Sequence, residues 1–370
     1  MSPPSIPARA RVAVVGGGFA GAATAFHLAR AGVTDVVLLE RESTCGYHAS
    51  GRNAGLCRQL TDDEVVSDLA VRGAEFLRRP PDGFSATPLF RQTGSLLVSA
   101  HPIRLDQLCA RAALHRLPYE RLDRDGLLAR WPRLSGLPAA GAVFFPTDGV
   151  IDIHALLQGF LAGARSAGVQ VELNVEVRKF RQGRDPASVT LETSRGSVTA
   201  SVVVNASGAW AGEVGKRAGA SAAKFTCLQR HLFLTDRVPN LDAQAPFFWY
   251  VDQEEMYGRP EGTGFLLSGC DATEMAPGDA RVIPSAATDL AERLRRLTPW
   301  LADLTHTRSW ACMRTFAPDR RPVIGWDPKV SWLFWVAGLG GHGATSCSAI
   351  GQMAAADIEH RLAAQAPPRT

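Results

Sequence analysis

Three glycines and an acid have the plainest chemical purpose in this chain. Gly16, Gly18 and Gly21 stand in a GxGxxG spacing, and Glu40 follows nineteen residues after the last of them. Each glycine serves by lacking a side chain: Gly16 for a tight turn, Gly18 for close approach of the main chain to a pyrophosphate, Gly21 for packing of the next helix on the strand it leaves. Glu40 is placed to hold a ribose diol. The spacing predicts a dinucleotide site, the plain alternative being a structural glycine turn. A second glycine bend, GLGGHG over 338–343, precedes an Ala-containing helical stretch near the C-terminus. A helix starting there would aim amides and the positive end of its dipole at negative charge, for example the N1 and C2 carbonyl region of a reduced flavin. The competing reading is an ordinary strand-to-helix connection.

These residues need elements to hold them. Residues 12–15 read as a strand, 19–31 as a helix ended by Gly32, and 35–39 as a second strand. A further α/β block begins at Ile151, with a helix to residue 167, a strand over 169–173 and a meander near 175–180, 188–193 and 197–199. Residues 201–205 read as another strand, which enters Ala206, Ser207, Gly208, Ala209 and Trp210 for a second close approach to the cofactor. The strand at 332–337 and the helix at 344–362 complete the pattern. Residues 88–145 and the aromatic, strand-rich 224–257 differ in character from their flanks. The expected fold is therefore α/β, with a Rossmann-type cofactor domain over 9–87, 146–223 and 310–365. An interleaved, mostly antiparallel β-sheet substrate domain is expected over 88–145 and 224–309.

Composition narrows the function. A chain of 370 residues exceeds what one core usually serves, and 46% apolar content is ordinary for a globular enzyme. The net charge of +4 is small, arginines are scattered, and no basic run suggests a nucleic-acid partner. Seven cysteines without CxxC spacing point to a reducing compartment and away from structural zinc, most of them as buried small apolar residues. Residues 1–11 lack a signal-peptide core, and no run of about eighteen apolar residues offers an integral membrane segment. A cytoplasmic location is the expectation, with a disordered Pro-rich head and a disordered tail at 366–370.

Several ordered motifs go further: VAVVGGGFAGAATA with LLERE, GYHASGRNAGL at 46–56, VVNASGAWAG at 203–212, MRTFAPDRRPVIG at 313–325, and GLGGHG. Through them the chain resembles the D-amino-acid oxidase and glycine oxidase superfamily of FAD enzymes from end to end. Within it, GYH, PTDGVIDIHAL at 146–156 and WACMR at 310–314 are similar to the pattern of bacterial D-arginine dehydrogenases. The resemblance implies FAD, its ADP half held by Gly16, Gly18, Phe19, Ala20, Gly21, Glu40 and Arg41. Val177 would touch the adenine, and Ser207, Gly208 and Trp210 would line the middle of the cofactor. His48, Ser50, Gly51, Arg52, Asn53, Gly55 and Leu56 would lie against the isoalloxazine. Gly340, Gly341, His342, Gly343, Ala344 and Thr345 would take its pyrimidine side.

For substrate, the resemblance makes Arg314 the partner of a carboxylate, a task suited to a planar fork of donors. Tyr257 and Arg230 would assist, and His48 would orient an amine or take its proton; each also reads plainly as a surface charge or a satisfied loop residue. The implied activity is oxidative deamination of a D-amino acid to the imino acid and 2-oxo acid by hydride transfer to flavin N5. Its alternatives are sarcosine oxidase-like oxidation of an N-methyl amino acid, and a flavin-binding subunit without turnover. Partners would be a small amino acid or amine and an electron acceptor, quinone or oxygen. Two departures matter. No glutamate stands among residues 91–95 to meet a guanidinium, and Phe247, Phe248, Trp249 and Tyr250 favour an apolar or aromatic substrate side chain. No lysine stands at 265–268 to help oxygen, which favours a quinone or dye as acceptor. Cys312 in CMxT matches the cysteine through which sarcosine oxidase-like enzymes tie flavin covalently, with Arg52 in support, or is a buried strand cysteine beside non-covalent FAD.

Overall fold

The computed structural model describes residues 6–183, 188–221 and 224–365. Its first layer is a parallel sheet built on strand Arg9–Val15, which pairs with Val36–Leu39 on one side and Gly196–Asn205 on the other. Gln170–Glu172 extends the sheet beyond Val36–Leu39, and Leu333–Ala337 extends it beyond Gly196–Asn205. The central strands are continuous apolar runs because both faces are covered. Helices Phe19–Arg30, Ile153–Ser166 and Gly343–Ala364 cover one face, so close together that a Cβ on Gly351 would lie 2.7 Å from the main chain of Ala23.

Residues 197–199 and 201–205, expected as separate strands, form one ten-residue strand, Gly196–Asn205. No turn residue interrupts it. Its first half pairs antiparallel with Val189–Thr193 and its last residues pair parallel with Leu333–Ala337, so it changes partner without breaking.

The second layer is a nine-stranded sheet, antiparallel except where Phe247–Tyr250 runs parallel to Ser95–Ser99. Its far face buries Leu96, Val98, Phe248 and Phe265 against Leu290 and Leu294 of helix Pro284–Leu297. Strand His306–Phe316 pairs with Thr226–Thr235 over nearly its whole length. The expected domain boundary at 310 therefore falls inside a strand that belongs to this sheet, and the crossing to the first layer comes after Phe316. A three-stranded sheet of Leu56–Cys57, Phe90–Arg91 and Gly149–Ile151 lies along the other crossings. The fold is the expected α/β one, Rossmann-type with an interleaved second sheet. All seven cysteines are free and five are buried. Among the described residues no helix is long and apolar enough to cross a membrane. The expected disordered tail at 366–370 and residues 1–5 of the head lie outside the described residues.

Candidate active site

A cleft of about 660 Å³ runs from the carboxyl ends of the parallel strands to the near face of the second sheet. Glycines shape one end. Gly16 adopts φ +108°, and a Cβ there would lie 2.5 Å from the Ala206 carbonyl oxygen. A Cβ on Gly21 would lie 1.9 Å from the carbonyl oxygen of Gly16, so the helix can start under the turn only at a glycine. Gly18 is the N-cap and offers no side-chain cap, leaving first-turn amides at the cleft. Ser50 Oγ accepts the Phe19 amide at 2.9 Å. Buried Glu40 accepts the amides of Gly17 at 2.7 Å and Glu42 at 2.9 Å, which fixes its carboxylate at the cleft wall. A helix N-terminus, a glycine cradle and a fixed acid are the donor and acceptor set that a dinucleotide requires, and the residues fit FAD.

His48 belongs to this end. Its Nε2 lies 2.9 Å from Glu42 Oε1 and 3.3 Å from Arg41, and its ring packs 4.6 Å from that of Trp210, over which the Arg41 guanidinium stacks at 3.7 Å. His48 thus contacts Glu42, Arg41 and Trp210, and it lines the same cleft as Ser207, Gly208, Val177, Arg314, Tyr257 and Arg230. The loop geometry explains this: Asn53 bonds the Ser50 carbonyl and the Gly55 amide, and the Gly51 amide bonds the Gly46 carbonyl, closing a turn that points His48 back toward Glu42.

Midway along the cleft, Gly338 and Gly340 take left-handed φ values of +71° and +58°, and the Gly340 amide bonds the Thr315 carbonyl at 2.9 Å. The bend delivers Gly341, His342, Gly343 and Ala344 to the cleft and starts helix Gly343–Ala364 with no side-chain cap. Burial, with Arg58, Arg314 and Arg230 adding, pushes His342 down to about 3, so it stands neutral at working pH. Of the residues expected at the cofactor, Gly21, Gly51, Arg52 and Thr345 lie behind the cleft wall. Thr345 Oγ1 donates to the Leu56 carbonyl, and Arg52 bonds the Tyr47 and Ala280 carbonyls and pairs with Asp279 at 2.7 Å.

The far end is built by strand register. Arg230 pairs across from Cys312, and Arg314 lies two residues along on the same face. Tyr257 packs against Trp249 at 4.6 Å, and the Arg230 guanidinium sits 5.9 Å from the Tyr257 ring. Among the described residues Arg314 makes one hydrogen bond, to the Asp271 carbonyl at 3.2 Å, and its Nε has no partner. Burial and the neighbouring Arg230 push it down to about 10. Of the aromatic run at 247–250, Trp249 alone reaches the cleft; Phe248 and Tyr250 point into the core, as alternation along a strand requires.

The residues that hold the arginines escaped the sequence reading. The Cys270 and Asp271 carbonyls accept from Arg230 at 2.9 and 3.3 Å, and the Asp271 carbonyl also accepts from Arg314. Asp271 is itself anchored: its carboxylate accepts the His231 amide at 2.9 Å and His231 Nδ1 at 2.7 Å, while His231 Nε2 accepts the Ile283 amide at 3.1 Å. Burial works to raise the Asp271 carboxyl, and the bonds from His231 outweigh it and hold it below the usual carboxylate range. Nothing in the local spacing marks Asp271; only the register that brings two arginines together creates the need for shared acceptors. Asp271→Ala is expected to lower kcat/KM about tenfold, the scale of one charge-linked hydrogen bond, with FAD content unchanged. Steady-state kinetics beside the flavin absorbance of the purified variant check this.

A dinucleotide cradle opening onto a pair of buried arginines fits a cofactor-dependent oxidoreductase. The chain belongs to the family described as FAD dependent oxidoreductase (DAO), whose model matches residues 11–357. It is 27% identical to mitochondrial dimethylglycine dehydrogenase of Mus musculus over 386 aligned residues, covering 97% of this chain and 43% of that protein. The chain thus spans less than half the length of that relative. Glycine oxidase of Geobacillus kaustophilus is 29% identical over 88% of this chain and 87% of its own. The crystal structure of glycine oxidase from that organism superimposes with a TM-score of 0.82 at 26% identity, covering 96% of this chain and 95% of that one. FAD is therefore the cofactor.

Burial pushes the Cys312 thiol up, against the pull of Arg314 and Arg230, and Arg52, the expected helper, is engaged with Asp279. A thiol so held is a poor nucleophile. Acid precipitation is expected to release the yellow colour to the supernatant; colour retained in the pellet would show a covalent link.

Proposed function

We propose that this protein oxidises the carbon–nitrogen bond of a small amino carboxylate, N-alkylated amino acids ahead of D-amino acids. The carrying observation is Arg314, which lines the cleft beside Arg230 and Tyr257 and has, among the described residues, a free Nε and no acidic partner. A guanidinium in this state is poised for a carboxylate, to which it can donate two parallel hydrogen bonds. FAD bound in the cradle supplies the hydride acceptor. Arg230 and Tyr257 narrow the orientations open to the substrate, and neutral His342 adds no charge to repel a protonated amine or trap a free one. The first-turn amides of Gly343–Ala364 offer stabilisation to negative charge beside them.

The order of substrates follows the relatives, whose names refer to dimethylglycine and glycine, whereas the sequence motifs alone favour D-amino acids. The second reading keeps the support of the GYH loop and the 146–156 segment. The clamp speaks against a subunit without turnover. For the acceptor, none of the four lysines in the chain lines the cleft, and Phe265–Ser268 is a buried apolar strand segment apart from Ser268, which favours a quinone or dye over oxygen. The test is anaerobic bleaching of the yellow protein by N-methyl amino acids, D-amino acids and L-amino acids, with the amine product identified. Bleaching by N-methyl amino acids with release of a primary amine is expected. Ammonia from D-amino acids alone would reverse the order, and a flavin that no amino carboxylate bleaches would refute the function.

A further inference from the structure

The chamber around Arg314 holds a third guanidinium that a simple amino carboxylate leaves unused. Arg58 lines the same cleft, stacked on Trp249 at 4.2 Å, with its Nε donating to the Leu60 carbonyl at 2.9 Å. Among the described residues no carboxylate pairs with it. The acids near it are engaged elsewhere: Glu255 accepts from Trp249 Nε1 at 2.6 Å, Asp62 pairs with Arg104 and Arg111, and Asp148 is held by Ser95 and Gln59. Arg58 and Arg314 both act on the same residue, His342, from within one chamber. Arg58 also forms the boundary to a side pocket of about 210 Å³ lined in part by Arg104 and Glu255, which gives room for a longer substrate.

We propose that Arg58 binds a second acidic group of the substrate, so that the preferred amino carboxylate is a dicarboxylate. It rests on the amine-oxidation reading for what Arg314 holds. The second acid sits either on the side chain or on a substituent of the nitrogen. The donor chemistry is the same for both: two terminal guanidinium nitrogens with no hydrogen bond among the described residues, backed by an indole that fixes the plane of the fork.

The test titrates holoenzyme with inert acids and follows the flavin spectrum: glutarate against its monoamide, a pair of equal length differing by one charge. Glutarate is expected to bind about tenfold to a hundredfold more tightly, the worth of one charged hydrogen-bonded contact. Arg58→Gln is expected to bring the two ligands level by weakening glutarate alone, and Arg58→Lys to keep part of the preference. Equal binding of glutarate and its monoamide to the parent protein overturns the proposal, as does a preference that survives in Arg58→Gln. The parent comparison decides the matter even where a variant fails to fold. Because inert acids are read without turnover, failure of this subsite is distinguishable from failure of the oxidation. Reactive dicarboxylates then place the second acid: faster flavin reduction by N-methylaspartate marks a side-chain acid, faster reduction by iminodiacetate an acid on the nitrogen substituent.

Discussion

Arg314→Met yields a yellow, folded protein that amino carboxylates reduce roughly a hundred- to a thousandfold less efficiently. The size follows from removing one partner of a desolvated charge pair, about 3–4 kcal/mol with each 1.4 kcal/mol worth tenfold. The loss should fall on kcat/KM, and Arg314→Lys should recover only a fraction, since a point charge cannot reproduce a planar fork. Stability should move the other way. Arg314 holds its charge in a crowded place, beside a second guanidinium, with a single carbonyl as acceptor and an orphaned Nε among the described residues. Removing that charge relieves both costs, so the melting temperature of the variant should equal or exceed that of the parent. A variant that loses both activity and thermal stability would show Arg314 to be a structural residue of the sheet instead. Thermal unfolding and anaerobic reduction on the same preparation separate the outcomes.

The two ends of the cleft differ in how far they can be read from residue order. The nucleotide end is local: turn, helix, second strand and Glu40 lie within one stretch, each demanded by a missing side chain or a buried apolar run, and the structure closes them as that logic requires. The substrate end is not local. Arg230 and Cys312 become neighbours only through the pairing of Thr226–Thr235 with His306–Phe316, and Asp271 acquires its role only once Arg230 and Arg314 share a face. There, resemblance named Arg314, Arg230 and Tyr257 but said nothing of Arg58, Asp271 or His231. His48 shows the converse limit: a loop histidine is easily seen, yet its direction depends on a turn closed by Asn53 and Gly51. Gly73 shows another. It sits in the middle of helix Glu64–Arg78 with no motif around it, but a Cβ there would lie 1.9 Å from the Thr345 carbonyl oxygen. That contact seats the start of helix Gly343–Ala364 at the cleft.

Gly21→Ala should deprive the protein of FAD, although it adds a single methyl group. The new Cβ would fall 1.9 Å from the Gly16 carbonyl oxygen and 3.2 Å from Val14 Cγ1, inside van der Waals contact with a main chain that has nowhere to retreat. Gly16 cannot yield, because its own α-carbon already faces the Ala206 carbonyl and its φ of +108° admits no other strand exit. Helix Phe19–Arg30 must therefore lift from the turn. Lifting it withdraws the first-turn amides from the cleft and loosens its packing on helices Ile153–Ser166 and Gly343–Ala364, so cofactor affinity and core packing fail together. Overpacking of this kind costs about 1–3 kcal/mol or more, to which the lost stabilisation by bound FAD is added. The expected preparation is colourless, with a low ratio of flavin to protein absorbance and a depressed melting temperature that added FAD does not restore. Gly278→Ala serves as the control, since a Cβ there meets nothing closer than 3.7 Å and its φ lies outside the left-handed region. A yellow Gly21→Ala protein as stable as that control would mean that the turn yields, and that the third glycine does not set the distance between helix and strand.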